Sequence, residues 1–188
     1  MQAENLIMSL KEDFDKNLKP KLQSDLGLSS VFAVPQIDKI VINMGVGKMR
    51  DNKNFIEEAM REMAAISGQH PSQRLAKTSI SNFKLRKGQL TGIAVTLRGQ
   101  KMWDFYEKLV RIVLPRVKDF RGVKPKSFDG AGNYNLGFEE HIVFPEIDPN
   151  GVTYTKPLQV TISTTAKNDE LGHKLLELLG MPFIVKKK

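Results

Sequence analysis

Ile37-Asp-Lys-Ile-Val-Ile-Asn-Met-Gly-Val46 alternates strictly. Ile40, Ile42, Met44 and Val46 fall on one side of an extended chain, and Lys39, Val41, Asn43 and Gly45 on the other. A period of two is the signature of a strand with one face buried. Two more stretches repeat it. Over residues 90–98, Ile93, Val95 and Leu97 oppose Gly92, Ala94, Thr96 and Arg98; over 158–165, Leu158, Val160 and Ile162 oppose Gln159, Thr161, Ser163 and Thr165. Four apolar stripes at helical spacing supply a covering layer. They run from Ala3 to Leu18 (interrupted near Pro20), from Phe55 to Ile66, from Met102 to Val113 (stopped by Pro115), and from Leu171 to Leu179. A capping box at Asn54–Glu57 opens the second and Gly68 closes it, while Asn168 caps the fourth. The expected fold is therefore α+β, a mostly antiparallel sheet with helices on one face and the other face open. The 188 residues read as a single domain with a projecting basic loop at about 72–88.

Composition narrows the chemistry. The net charge of +8 points to an anionic partner, nucleic acid or an anionic membrane. With no Cys there is no disulfide framework, thiolate zinc site or cysteine nucleophile. The first twenty residues are too charged for a secretory signal, and no apolar run is long enough to cross a bilayer. A membrane-surface role would need a basic amphipathic helix, yet the first helix mixes Glu4, Glu12, Asp13 and Asp15 among its lysines. The charge is also segregated. Residues 63–103 contain seven Lys and Arg and no acid, residues 108–126 contain seven against Asp119 alone, and residues 127–155 contain five acids and no Lys or Arg. Two cationic blocks in succession favour an anion-binding face, whereas the acidic stretch suits a solvated loop or a docking site for a basic protein equally.

Catalytic patterns fail on inspection. Gly45-Val-Gly-Lys48 follows a strand, but a phosphate loop needs Gly where Ile42 stands and Ser or Thr where Met49 stands. A nucleotide-dependent enzyme using that turn is the alternative reading, disfavoured on both counts. Asp129-Gly-Ala-Gly-Asn-Tyr-Asn-Leu-Gly137 lacks the ligands and the central Gly of a calcium loop. His70, His141 and His173 form no metal or nucleophile motif. No cofactor, metal or catalytic residue is expected.

The open sheet face, with Asn43, Gly45, Gly92, Thr96, Arg98, Thr161 and Ser163, reads as an ordinary wet surface or as an RNA platform, and the basic blocks favour the second. Residues 69–88 combine cations, hydroxyls and one aromatic, the composition of a basic arm. In it Lys84, Arg86 and Lys87 would meet phosphates, Ser79 and Ser81 sugar or phosphate, and Phe83 would anchor the arm by burial or else stack on a base, with burial favoured.

Several blocks are shared with a known family: Lys39-Ile-Val-Ile-Asn-Met-Gly-Val-Gly47, Gly68-Gln-His-Pro71, Ala76-Lys-Thr-Ser-Ile-Ser-Asn-Phe-Lys-Leu-Arg-Lys-Gly88 and Val95-Thr-Leu-Arg-Gly99. Further along come Leu114-Pro-Arg-Val-Lys-Asp-Phe-Arg-Gly122, Phe128-Asp-Gly-Ala-Gly-Asn-Tyr-Asn-Leu-Gly137, Phe144-Pro-Glu-Ile147 and Thr164-Thr-Ala166. In order and over nearly the whole chain, they resemble the bacterial large-ribosomal-subunit protein five family. The resemblance implies a non-catalytic role, attaching 5S rRNA in the central protuberance beside large-subunit rRNA and neighbouring proteins, with no membrane partner. It places RNA-reading groups on Asn43, Gln69 and Thr96, with Lys39 and Arg98 beside them. It matches residues 76–88, including Lys77, to a loop that touches the peptidyl-site tRNA. It also implies a bridge to the basic small-subunit protein thirteen, for which Glu139, Glu140, Glu146 and Asp148 are the matching acids. The connection Asp148-Pro-Asn-Gly-Val-Thr-Tyr-Thr-Lys-Pro157 departs from the family pattern.

Overall fold

A computed structural model describes residues 9–49 and 51–184. The expected inward positions Ala3, Leu6 and Ile7 lie outside them. The five strands are β1 (Ile37–Gly45), β2 (Ser72–Leu75), β3 (Leu90–Leu97), β4 (Tyr134–Phe138) and β5 (Leu158–Thr164). They form one antiparallel sheet in the order β2-β3-β1-β5-β4, so the fold is α+β as expected. In β1 the side chains of Ile40, Ile42 and Met44 are fully buried while Asn43 and Gly45 are exposed. β5 alternates likewise, burying Leu158, Val160, Ile162 and Thr164. β2 and β4 were not foreseen. All four residues of β2 are exposed, so it is an edge strand held by its backbone and offers no apolar alternation to read.

Among the described residues, four stretches of α-helix accompany the sheet, besides short 3-10 turns. Helix α2 (Lys53–Ser67) begins two residues earlier than the expected box, because the Asn52 side chain accepts the Phe55 N–H at 3.2 Å. It ends at Gly68, whose φ of 62° supplies the left-handed turn. Helix α4 (Asp169–Leu178) starts where expected, Asn168 accepting the Leu171 N–H at 3.0 Å. Of the other two, the first runs on through Pro20, whereas the third ends at Arg116, one residue past the expected stop at Pro115. In α1, Leu10–Asp13 passes through a π-helical Phe14–Leu18 into Lys19–Asp25; in α3, Gly99–Lys108 passes through a π-helical Leu109–Val113 into Leu114–Arg116. Each π segment ends two residues before a proline, Pro20 or Pro115. The Lys19 and Leu114 N–H groups reach back five residues, to the Phe14 and Leu109 carbonyls. That wider turn makes room for a ring that would otherwise clash with the preceding turn.

The chain divides into two compact units. One comprises residues up to Lys39, Arg98–Asn135 and Ile162 onward. Its core joins α1 to α3, with the Phe14 and Trp103 rings 5.3 Å apart, and clusters Phe128, Tyr134, His173 and Phe183. The other comprises Ile40–Leu97 and Leu136–Thr161, with α2 packed on β3 and burying Phe55, Ala59, Met63 and Ile66.

Candidate nucleic-acid interface

Register brings the expected reading groups of the second unit together. β1 and β3 pair with Asn43 opposite Ala94 and Val41 opposite Thr96. Asn43 is thus one diagonal step from Thr96 on the same face, a separation of roughly 7–8 Å. Gln69 arrives from the other direction. Gly68 turns the chain out of α2, Ser67 Oγ accepts the Gln69 N–H at 3.3 Å, and Gln69 Nε2 donates to the Thr96 carbonyl at 3.3 Å. Asn43 and Gln69 are exposed and Thr96 half-buried. Gly92 and Ala94 lie on this face but are buried, which corrects the expectation that Gly92 lines its surface. Without long side chains they sit below their neighbours. A Cβ on Gly92 would stand 3.0 Å from the Met44 carbonyl and 3.5 Å from Asn43 Oδ1, so the bare glycine leaves room beside the Asn43 amide. In the first unit, Arg98 donates to Asp38 Oδ1 at 3.0 Å and Lys39 lies 3.6 Å from Asp38 Oδ2. Both cations therefore flank a carboxylate that orients them.

The basic arm is an ordered hairpin. Its neck is closed by Ala76 N–H to the Gln89 carbonyl (2.8 Å) and Gly88 N–H to the Ala76 carbonyl (2.9 Å). Ile80 and Leu85 exchange backbone bonds of 2.8 and 3.1 Å, and Ser79 Oγ accepts the Lys87 N–H at 2.9 Å. Ser79 therefore serves the arm's own shape. Lys77, Ser81, Lys84, Arg86 and Lys87 are all exposed. Phe83 is 73% exposed, which corrects the expected burial: the turn at its tip, with Lys84 at φ 48°, leaves it nothing to pack against.

Glu139, Glu140, Glu146 and Asp148 are all exposed, Asp148 accepting the Asn150 N–H at 3.0 Å. Beneath them lies a charge cluster that the sequence reading missed. Lys156 is 1% exposed, its ammonium 2.7 Å from Glu58 Oε1, 2.8 Å from Glu62 Oε2 and 5.3 Å from the Phe55 ring centroid. His141, fully buried, has Nε2 3.2 Å from Glu62 Oε2, and its Nδ1 accepts the Lys156 N–H at 3.2 Å. The accepting Nδ1 fixes the proton on Nε2, where it faces the carboxylate. Burial pushes the Glu62 pKa up, but the hydrogen bonds from His141 and Lys156 outweigh it and hold the carboxyl below its ordinary range. One signal was available: Glu62 falls on the apolar stripe that runs through Phe55, Ala59, Met63 and Ile66. Lys156 stands in the connection that departs from the family pattern.

The rejected catalytic patterns have structural explanations. Val46 N–H is spent on the Thr91 carbonyl at 3.1 Å, and α2 begins only at Lys53, so the glycine turn does not lead straight into a helix N-terminus. In the glycine-rich run, Asp129 Oδ1 accepts the Ala131 and Asn133 N–H groups, and Asp169 Oδ1 accepts those of Gly130 and Gly132. The Asn133 side chain and the backbone amides hold the Asp129 pKa low. Gly132 is required, since a Cβ there would come within 2.7 Å of Ala166 Cβ.

Residues 30–86 match ribosomal protein L5, and residues 90–183 match the C-terminus of the same ribosomal family. The chain belongs to the ribosomal protein L5 family. It is 51% identical over 174 residues to the large ribosomal subunit protein uL5 of Anaeromyxobacter sp. (strain K), covering 93% of this chain and 97% of that one. It is 47% identical over 178 residues to the uL5 of Thermus aquaticus, covering 95% and 98%. Membership of the L5 family gives the chain a structural role in the large ribosomal subunit, and so a place in the cytoplasmic ribosome. It is not an enzyme family. No helix among the described residues is long and apolar enough to cross a membrane.

Proposed function

We propose that this protein attaches 5S rRNA to the large subunit in the central protuberance by shape recognition on its bare sheet face. The observation that carries the reading is the group of Asn43, Gln69 and Thr96, set beside the recessed Gly92 and Ala94. An exposed amide and a half-exposed hydroxyl on a sheet, with short neighbours, let a folded RNA backbone approach and bond to sugar, phosphate or base edges. Lys39 and Arg98 add phosphate neutralisation with counterion release. The exposed arm, with Lys77, Ser81, Phe83, Lys84, Arg86 and Lys87 on its surface and Ser79 bracing it, reaches the peptidyl-site tRNA. The exposed acids Glu139, Glu140, Glu146 and Asp148 suit a basic protein, the small-subunit protein thirteen.

Asn43→Ala and Thr96→Ala are expected to weaken 5S rRNA binding about 5–10-fold each, the loss of one hydrogen bond. Binding to a scrambled RNA of equal length should change less than twofold. Equal losses on both RNAs, in filter binding at fixed salt, would remove the reading role.

A further inference from the structure

The second cationic block takes no part in the contacts proposed above. Between residues 116 and 126 stand Arg116, Lys118, Arg121, Lys124 and Lys126, with Asp119 as the single acid. All five cations are exposed, and none forms a side-chain ion pair or hydrogen bond with another described residue. Elsewhere in the same unit Arg98 is matched by Asp38 and Arg111 by Glu107.

The backbone beneath these five is bolted down. Phe120 N–H bonds to the Val117 carbonyl (3.2 Å), Val123 N–H to the Pro182 carbonyl (2.8 Å) and Ile184 N–H to the Val123 carbonyl (3.0 Å). The buried Tyr134 hydroxyl donates to the Lys124 carbonyl at 2.7 Å. Gly122, at φ 110°, is fixed as glycine, because a Cβ would stand 3.0 Å from the Pro182 oxygen and the Ile184 nitrogen. The charges are mounted on a rigid support, with their spacing set before any partner arrives.

We propose that residues 116–126 form a second RNA-backbone face, seated on the phosphates of large-subunit rRNA. Three observations select RNA over an acidic protein. The fully exposed side chains between 116 and 126 are all charged, and the apolar ones among them, Val117, Phe120 and Pro125, are only half-exposed, so none stands out as the protruding anchor a protein interface needs. Three of the five cations are Lys, a residue depleted from protein interfaces and suited to phosphate as a point charge. The third is density, five unmatched cations in eleven residues, which suits a polyanion with regularly repeated charge. The assignment to large-subunit rRNA rests on the reading of the sheet face as the 5S rRNA site. A protein that fastens one RNA to another must hold both, and this is the densest run of unmatched cations among the described residues outside the arm and the sheet face.

The test uses the full chain and the triple variant Lys118→Glu/Arg121→Glu/Lys124→Glu, with Lys118→Gln/Arg121→Gln/Lys124→Gln as a milder companion and thermal melting to monitor folding. Immobilised 5S rRNA captures the protein, and labelled large-subunit rRNA is then added. The Glu variant is expected to bind 5S rRNA within threefold of wild type yet capture large-subunit rRNA more than tenfold less well. The Gln variant should show a smaller loss of the same kind. On large-subunit rRNA alone, the slope of log affinity against log salt should become shallower by about two for the Gln variant. Unchanged capture by both variants would overturn the proposal. So would an equal loss on 5S rRNA, which would give the segment to the first RNA, or normal capture with loss of a neighbouring protein from assembled particles. If wild type failed to bind 5S rRNA, the sheet-face reading would fall, while the large-subunit rRNA arm would still decide the fate of this segment.

Discussion

Within one unit of the molecule, charge is handled in two opposite ways. On the arm, Lys77, Arg86 and Lys87 stand in water with no ion pair among the described residues, and the hairpin is held by backbone bonds and Ser79 instead. Under the acidic surface, Lys156 is sealed from water, and two glutamates, a carbonyl and an aromatic face surround its ammonium. On the arm, charge kept for a partner is left unmatched and contributes little to folding. Charge taken inside must be compensated at once, since an isolated buried ion would cost several kcal/mol. The contrast separates residues that can be changed without unfolding the protein from those that cannot.

The largest effect should come from the interior. Lys156→Ala leaves Glu62 without its cation and is expected to cost about 3–5 kcal/mol in urea unfolding, with part of that recovered when Glu62→Gln is added. A loss below about 1 kcal/mol would mean that water replaces the ammonium and the cluster is no keystone. On the arm, Arg86→Glu with Lys87→Glu should leave stability within about 0.5 kcal/mol of wild type. The same variant should weaken peptidyl-site tRNA binding in assembled ribosomes about tenfold, two phosphate contacts' worth. Intact tRNA affinity would dissolve the contrast by making the arm an idle charged loop. The smallest effect concerns pH. Glu62 titrates below the ordinary value of 4.5 in the folded protein, so its contribution is complete above that value and is lost as pH falls through the lower folded one. Between about pH 6 and pH 3 the urea midpoint of wild type should fall more steeply than that of Glu62→Gln, and parallel curves would show that other carboxylates govern the acid limit.

What could be read in advance follows from which signals are periodic. β1 and β5 were legible because burial on one face forces alternation; β3 is buried continuously from Gly92 to Val95, but its large apolar residues Ile93, Val95 and Leu97 still alternate with small or polar ones, which put Thr96 on the same face as Asn43. β2 carries no apolar face, and β4 buries only Tyr134 and Phe138 at its ends, so neither leaves a period to detect. Phe83 was misplaced because an aromatic in a loop ordinarily seeks cover, and only the tight turn at the tip denies it. The charge cluster was hidden for a different reason. Its members lie 98 positions apart in the case of Glu58 and Lys156, and nothing local marks a lysine for burial.

The widened turns at Phe14–Leu18 and Leu109–Val113 restrict how the gene can vary. A π turn holds one residue more than the α-helix it interrupts. Losing a single codon from residues 109–113 would remove that extra residue and let the turn close as ordinary α-helix, with the flanking faces kept but the Pro115 ring driven against the preceding turn. A codon lost from the regular turn at 99–108 has no such slack, and would rotate Trp103 about 100° against Leu114, both of which are buried.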